Sequence, residues 1–411
     1  MRFCIFEDTH FSNFLPLDYF RPVYNLRCGI TSLEEKLRLY LPGADFSFHT
    51  RQYLAEYMQE SMSKKSVNAF PEEDTWFING RVIGDETLGK KLKQRNTEIA
   101  FYQDDGVIAA FIKAKNINRC TVDTLGVFGY FKTLPAQQIS CNIVRYPWDL
   151  IQRNPEEIER DFKALMRRVG KKKIKGEVFP GVHLINKKNI YISKKAQVKP
   201  GVVLDAEKGP IMIDHEAIVM PNAVIEGPAY IGRNSVIKIG AKIYHGTSIG
   251  EFCKVGGEVD ASIIHSYSNK QHDGFLGHSY IGSWVNIGAD TNNSDLKNNY
   301  STVKMRLNGE EIDTGLQFVG LIMGDHSKTG INVMFDTGTN IGVCCNIYGS
   351  GLPPKYIPSF SWGSQDLFEP YDLNKCMETA RTVMKRRDVE FTPAYEKLFR
   401  HIHTLALKEK Q

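Results

Sequence analysis

No stretch of the chain strings together the roughly 20 apolar residues that a bilayer-spanning helix needs. Arg2, Glu7 and Asp8 also break any apolar core that a secretory leader would require at the N-terminus. The expectation is an unprocessed protein with no membrane span. Cysteine is sparse and scattered, with eight residues, no C-x-x-C pair and one vicinal pair, Cys344-Cys345. That pattern lacks the signature of a zinc site or a disulfide framework and fits a reducing cytoplasm. Charge of one sign is not in excess either. Fifty-two Lys and Arg face 47 Asp and Glu, a net of +5, far from the dense basic surface of a nucleic-acid binder. What remains is an ordinary globular composition, 42% hydrophobic and 24% charged. At roughly 100 to 200 residues per domain, 411 residues make two to three domains.

The middle of the chain repeats. Ile213, Val219, Ile225, Ile231, Ile237, Ile243, Ile249 and Val255 recur every six residues, most of them followed by a small or polar residue, often Gly. A helix repeats its apolar face about every 3.6 residues and a strand every 2. A period of six therefore calls for short strands joined by turns, a β-solenoid, with the aliphatic residue inward and Gly or Asn at the tight corners. The pattern begins irregularly at Ile192, Val198 and Leu204 and resumes at Ile281, Ile287 and from Met323 to Ile347. Residues 256–280 and 291–321 fall off the period, so they are expected to be loops projecting from the coil, where insertions often line a binding face.

The ends differ. Before residue 176, apolar runs (Phe3 to Phe6, Phe46 to Phe48, Trp76 to Ile78, Val107 to Ile112) alternate with helix-like stretches such as Ser32 to Tyr40, whose Ser32 and Glu35 form a capping box. That alternation predicts an α/β domain with a mostly parallel sheet. A helix is expected from Asn154, with Pro155 at its first position, to Val169 before Gly170. Lys171, Lys172, Lys173 and Lys175 then make a basic link into the coil. After it, residues 370–411 read as two charged helices split near Thr392-Pro393. Lys385, Arg386 and Arg387 either meet a cofactor phosphate or form a solvated helical face. The domains are therefore 1–175, 176–360 and 361–411.

The polar segment beginning at Asn269 holds the candidate chemistry. A histidine beside a rigid coil can act as a general base, because imidazole exchanges a proton near neutral pH, and His272 is that residue. His272, Phe275-Leu276-Gly277, Ile281-Gly282-x-x-Val285-Asn286-Ile287-Gly288-Ala289, Thr291 and Asn293-Ser294-Asp295-Leu296 together resemble a family of bifunctional bacterial and archaeal enzymes. These enzymes acetylate glucosamine 1-phosphate and uridylylate the product to UDP-N-acetylglucosamine; the likeness is closest to an alternative bacterial branch. The resemblance implies a left-handed parallel β-helix, acetyl-CoA as co-substrate and a homotrimer whose neighbouring coils share a groove. By the same likeness His272 removes the proton from the attacking amine, Asn286 helps hold the amino sugar, and Lys238 stands where the family has a phosphate-binding arginine. Phe275 replaces a tyrosine and Asp260 a phosphate-binding lysine. Lys270 or Lys304 could supply the missing charge, and Asp295 and Asn298 are either loop-turn residues or substrate contacts.

The N-terminal domain resembles a short sugar nucleotidyltransferase through Phe3 to Phe6, Phe14-Leu15-Pro16-Leu17, Arg21-Pro22 and Leu26-Arg27-Cys28-Gly29. Arg21, Arg27 and Asn79 are its candidate nucleotide-binding residues, with UTP as substrate. The usual Gly-rich phosphate loop is here Glu7 to Asn13, without glycine. Arg81 stands where the family has a Mg²⁺-holding aspartate, leaving Asp104 and Asp105 as substitutes and the metal ligands open. Three readings follow: a bifunctional enzyme, an enzyme with one of the two transfers alone, or a trimeric scaffold without catalysis.

Overall fold

The chain is described from a computed structural model over residues 1–61, 66–93, 95–104, 106–120, 129–169 and 173–409. Asp105, Gly170, Lys171 and Lys172 lie outside the described residues.

The hexads fold as their period requires. All eight aliphatic residues from Ile213 to Val255 are buried, on strands two or three residues long such as Ile211–Ile213, Ile218–Val219 and Val224–Glu226. Three strands make one rung of a parallel three-sided coil. Ile213 pairs with Ile231 and Ile231 with Ile249, so each of these rungs takes eighteen residues. Face 1 runs from Glu177–Val178 to Asn269–Lys270, face 2 from His183–Ile185 to Phe275–Gly277, and face 3 from Ile190–Ile192 to Tyr356–Ile357. Asn222 and Asn234 take corners at φ of 60° and 56°, a conformation that asparagine tolerates better than most side chains.

Residues 256–280 correct the expectation of a projecting loop, because they are coil. Glu258–Asp260, Ile263–Ile264, Asn269–Lys270 and Phe275–Gly277 are its strands. The rung from Ile249 to Ile264 takes fifteen residues and the next, to Ile281, seventeen. Shorter corners shift the phase of the hexad without expelling the chain. The second off-period segment does leave the coil. After Asn292–Asn293, which pairs with Met334–Phe335, it forms a hairpin of Lys304–Leu307 and Glu310–Asp313, held to the coil where Asn340 Nδ2 donates to the Arg306 carbonyl at 2.9 Å. The coil also runs past residue 360, through Ser361–Gly363 and its partner Phe368–Pro370.

The N-terminal domain carries a six-stranded sheet in the order Asp45–His49, Arg2–Phe6, Thr75–Asn79, Gly106–Ile112, Ile99–Gln103, Ala136–Gln138. Only Gly106–Ile112 runs against the other five. Ser32 caps the helix Leu33–Tyr40, with both bonds of the capping box formed.

The connecting helix is Pro147–Val169, longer than expected, with Pro155 inside it. Asn154 is therefore not a cap. Its buried amide accepts from the Gly29 N–H at 2.6 Å and donates to the Gly246 carbonyl at 2.7 Å, tying domain to helix to coil. Gly29, at φ 84°, has no room for a side chain, since a Cβ would lie 2.8 Å from the Glu157 carbonyl oxygen. Beside it Lys36 is fully buried against Asp161 at 2.6 Å and Glu157 at 3.1 Å. Face 3 receives this helix through Tyr191, Met212 and Tyr230, which pack with Ile30, Ile158 and Phe162.

The C-terminal helices Leu373–Lys385 and Pro393–Glu409 bridge the two halves. Tyr395 packs at a tilt on Tyr57 of the helix Gln52–Ser61, with ring centroids 4.9 Å apart, and its hydroxyl meets His326 Nε2 of the coil at 2.7 Å. No described helix is long and apolar enough to cross a membrane.

Candidate functional site

His272 lies exposed on the corner between faces 1 and 2. What supports that corner is Lys270, and its place corrects the expectation of a substrate-binding side chain. Lys270 occupies the inward hexad position, in register with Val255 and Ile237. Only 2% of it is exposed. Its ammonium donates to the carbonyls of Gly256 and His272, both at 3.0 Å, and burial pushes its pKa down to about 8. The rungs close tightly here because Gly256 carries no side chain. A Cβ there would stand 2.5 Å from the Gln271 oxygen and 3.0 Å from Lys238 Cβ. Lys238 is half-buried along the same edge, two rungs from Gln271.

Across face 2, Phe275 and Asp295 meet over Gly277. A Cβ on Gly277 would collide with the Asp295 carboxylate at 2.2 Å and the Phe275 ring at 2.5 Å. Asn293 fixes the approach, accepting from the Gly277 N–H at 3.0 Å and donating to its carbonyl at 3.1 Å. The Asp295 carboxylate takes His278 Nδ1 at 2.8 Å, and Phe318 packs on that imidazole with centroids 5.0 Å apart. Asp260 lies near this group, and burial raises its pKa against the opposing pull of His278 and His245. A carboxylate that holds one imidazole nitrogen leaves the other free to take a proton, which is the arrangement of a general base and its orienting group. Sequence reasoning singled out Asp295 but passed over His278. The hexad count hides the pair, because Asp295 follows His278 by seventeen residues, the off-period rung that also pairs Asn269 with Asn286.

Asn286 sits on face 1, exposed, in the outward row Lys254, Asn269, Asn286, Lys328. It borders a cavity of about 360 Å³ beneath the C-terminal helix Leu373–Lys385. Asn286 and the Phe275–Asp295 pair therefore lie on different faces, with the His272 corner between them. Lys304 is exposed on the hairpin and paired with Glu311 at 3.0 Å.

The N-terminal candidates are corrected as a group. Arg21 donates to both oxygens of Asp325 and to Ser283 Oγ, so it joins domain to coil. Arg27 is buried, donates to the Ile30 carbonyl and lies over the Tyr230 ring at 5.3 Å. Asn79 is wholly buried and donates to Asp8 at 2.8 Å and to the Val107 carbonyl at 2.9 Å. None of the three is open to a nucleotide.

Arg81, where the resemblance leads one to expect an aspartate, turns its guanidinium onto both oxygens of Asp8. Burial works against the Asp8 anion, yet bonds from His10 and Arg81 hold its carboxyl below the usual range. Glu7 is likewise spent, accepting from Thr50 Oγ1 at 2.7 Å and from Arg51 Nη2 at 3.1 Å. Asp104 pairs with Arg145 at 2.7 Å. Among the described residues no group of three His, Cys, Asp or Glu side chains is placed to hold a metal ion. Glu7, Asp8 and Asp104, the described carboxylates here, each already hold a cationic side chain, so none of them is free to ligate Mg²⁺. A cleft of about 490 Å³ nevertheless opens between His10, Arg81 and Arg145, beyond the C-terminal ends of strands Arg2–Phe6 and Thr75–Asn79, where open α/β sheets bind ligands.

Residues 3–169 match the family model described as sugar nucleotidyl transferase. Over 143 residues the chain is 35% identical to the bifunctional sugar-1-phosphate nucleotidylyltransferase/acetyltransferase of Sulfurisphaera tokodaii, covering 34% of this chain and 36% of that protein. Over 102 residues it is 36% identical to the bifunctional protein GlmU of Methanocaldococcus jannaschii, covering 25% of each chain. The chain thus matches about a third or less of these relatives' own length. Among solved structures, LpxA from Acinetobacter baumannii aligns with 53% of this chain and 82% of its own at 13% identity, with a TM-score of 0.21. The coil is assigned from its own strand ladders.

Proposed function

We propose that this chain transfers acetyl from acetyl-CoA to the amine of an amino-sugar 1-phosphate, glucosamine 1-phosphate by its family likeness. In the same reading its N-terminal half uses UTP to give UDP-N-acetylglucosamine. The observation that carries this is the pairing, in one chain, of a sugar nucleotidyl transferase match over residues 3–169 with a hexad coil, alongside similarity to relatives whose names join both activities.

The chemistry follows from the corner. An amine must lose its proton to attack a thioester, and His272 is the base of this proposal. Lys270 holds the carbonyl of that residue, so the imidazole is carried on a braced turn. Phe275, Asp295 and His278 face the neighbouring side and would line the acceptor, with Lys238 supplying charge toward its phosphate. Ile239 and Ile331 leave 64% and 69% of their surface exposed on the same edge as His272, which supports a second copy covering it in a homotrimer. We place the enzyme in the cytoplasm, where acetyl-CoA and UTP are at hand.

The test follows free thiol released from acetyl-CoA with glucosamine 1-phosphate. His272→Ala should slow release by about 10² to 10⁴. If that variant keeps parental rates while His278→Ala loses them, the base is His278.

The Arg81–Asp8 pair favours a second reading for the N-terminal half, nucleotide binding without transfer. Pyrophosphate release from UTP and N-acetylglucosamine 1-phosphate with Mg²⁺ separates the two; its absence leaves acetyl transfer as the sole reaction.

A further inference from the structure

The cavity on face 1, of which the family likeness assigns a role to Asn286 alone, has cations that the acetyl-transfer reading does not use. Its floor is the row Lys254, Asn269, Asn286, Lys328, each residue bridged to the next rung. Three rung spacings of about 4.8 Å put the two lysines about 14 Å apart. The roof is the end of the helix Leu373–Lys385, with Val383, Arg386 and Arg387. Arg387 Nη2 donates to Asn269 Oδ1 at 3.0 Å, which fixes roof to floor.

Four cations therefore surround about 360 Å³. Among the described residues none of Lys254, Lys328, Arg386 and Arg387 has a carboxylate within 4.0 Å. Lys328 donates only to the His326 carbonyl, at 2.9 Å. Burial and then Arg387, Lys238 and Arg386 push the Lys254 pKa down, and burial does the same to Lys328. Uncompensated like charges in a half-closed cleft repel one another and hold a field that an anion relieves.

The remaining wall limits what that anion carries. Phe252, Tyr267, Trp284 and His326 stack as a column along the corner of faces 3 and 1, at centroid spacings of 5.0, 4.2 and 6.1 Å. The faces of Tyr267 and Trp284 are already covered, so the cavity meets ring edges and the amides of Asn269, Gln271 and Asn286. A flat base stacked on aromatic faces does not fit, whereas a polar, multiply charged chain does. The cavity lies at the small end of the range of ligand pockets, about 300 to 1,000 Å³.

We propose that this cavity between the coil and its own C-terminal helix binds the diphosphate of a nucleotide-type ligand, its four cations set around a floor of four rungs. Coenzyme A and a UDP-sugar share that group. The inference rests on the proposed function only for the choice of these probes, since His272 is outside the cavity.

Calorimetric titration of the full-length protein with coenzyme A, with UDP-N-acetylglucosamine and with inorganic pyrophosphate tests it. At least one nucleotide should bind, pyrophosphate should compete, and Arg386→Gln/Arg387→Gln should weaken binding at least tenfold. Arg386→Lys/Arg387→Lys should restore most of it. Whichever nucleotide responds is the source of the diphosphate. The inference is overturned if neither binds the parent, if pyrophosphate does not compete, or if the glutamine pair binds within twofold of parent. Both arginines directly follow the helix Leu373–Lys385, Arg386 exposed and Arg387 half-buried, and a melting curve identical to the parent's establishes that the fold survives. His272→Ala, which should lose acetyl transfer and keep this binding, distinguishes failure here from failure of the transferase reading.

Discussion

Lys270 fills a place that Ile237 and Val255 fill in the two rungs below it, and a buried ammonium is costly unless something answers it. Two carbonyls answer, one of them that of His272. Its folded pKa near 8 lies below the ordinary 10.5. The unfolded chain therefore binds the extra proton between those values, and folding stability should rise as pH climbs from about 8 to 10.5. The full effect is about 3 kcal/mol. Denaturation curves of parent and Lys270→Met across that window check it: the parent should gain on the variant as pH rises, and parallel curves would dismiss the depressed lysine. A second residue-level expectation concerns metal. With Arg81 already on Asp8, removing divalent cations with a chelator should leave the thermal midpoint unmoved; a drop of several degrees would mean a bound ion. The Arg81 substitution was visible in the sequence, but its partner was not, because Asp8 reads only as an acidic residue in a loop that ought to be glycine-rich.

At the scale of elements, the hexads were legible because every inward position sees the same surroundings, so the period survives in the letters. The phase slip at residues 256–280 was not legible. Fifteen- and seventeen-residue rungs keep the geometry while breaking the count, and Lys270 disguises one inward position as polar. The connecting helix failed differently. Proline favours the first position of a helix, and the chain offers two such starts, Pro147 and Pro155. Asp149 settles the matter by accepting from the N–H groups of Arg145 and Tyr146 at 2.6 and 3.1 Å, while Asn154 is turned inward to the coil. The role of Arg21 is not legible locally, because its partner, Asp325, is 304 residues away. Arg21→Met would strand that buried carboxylate and should cost about 3 to 5 kcal/mol, as for one partner of any buried pair. Urea titration measures it, and a loss below 1 kcal/mol, about the worth of an exposed pair, would show that the bridge does not join the halves.

For the whole molecule, His265 and His326 set the acid limit. His265 faces the Asn25 carbonyl of the N-terminal domain, and His326 sits between Phe20 of that domain and Tyr395 of the C-terminal helix. Burial first, then Arg21 and Arg27 beside His265, and Lys328 and Arg21 beside His326, hold both well below 6.5. The unfolded chain protonates them and the folded chain resists, so stability should fall as pH drops below about 6.5. Melting temperatures of His326→Gln should fall less steeply than the parent's over that range; identical slopes would rule the imidazole out.

The bridge formed by Tyr395, which reaches Tyr57 on one side and His326 on the other, has an architectural effect. Solenoids ordinarily gain or lose repeats with little penalty, since each unit touches only its neighbours. Here the first and last parts of the polypeptide clasp each other across the stack, so one inserted rung would pull them about 4.8 Å out of reach. The stack works as a caliper: its height is dictated by the clasp, and lineages carrying the clasp should vary in corner length while holding the rung number constant.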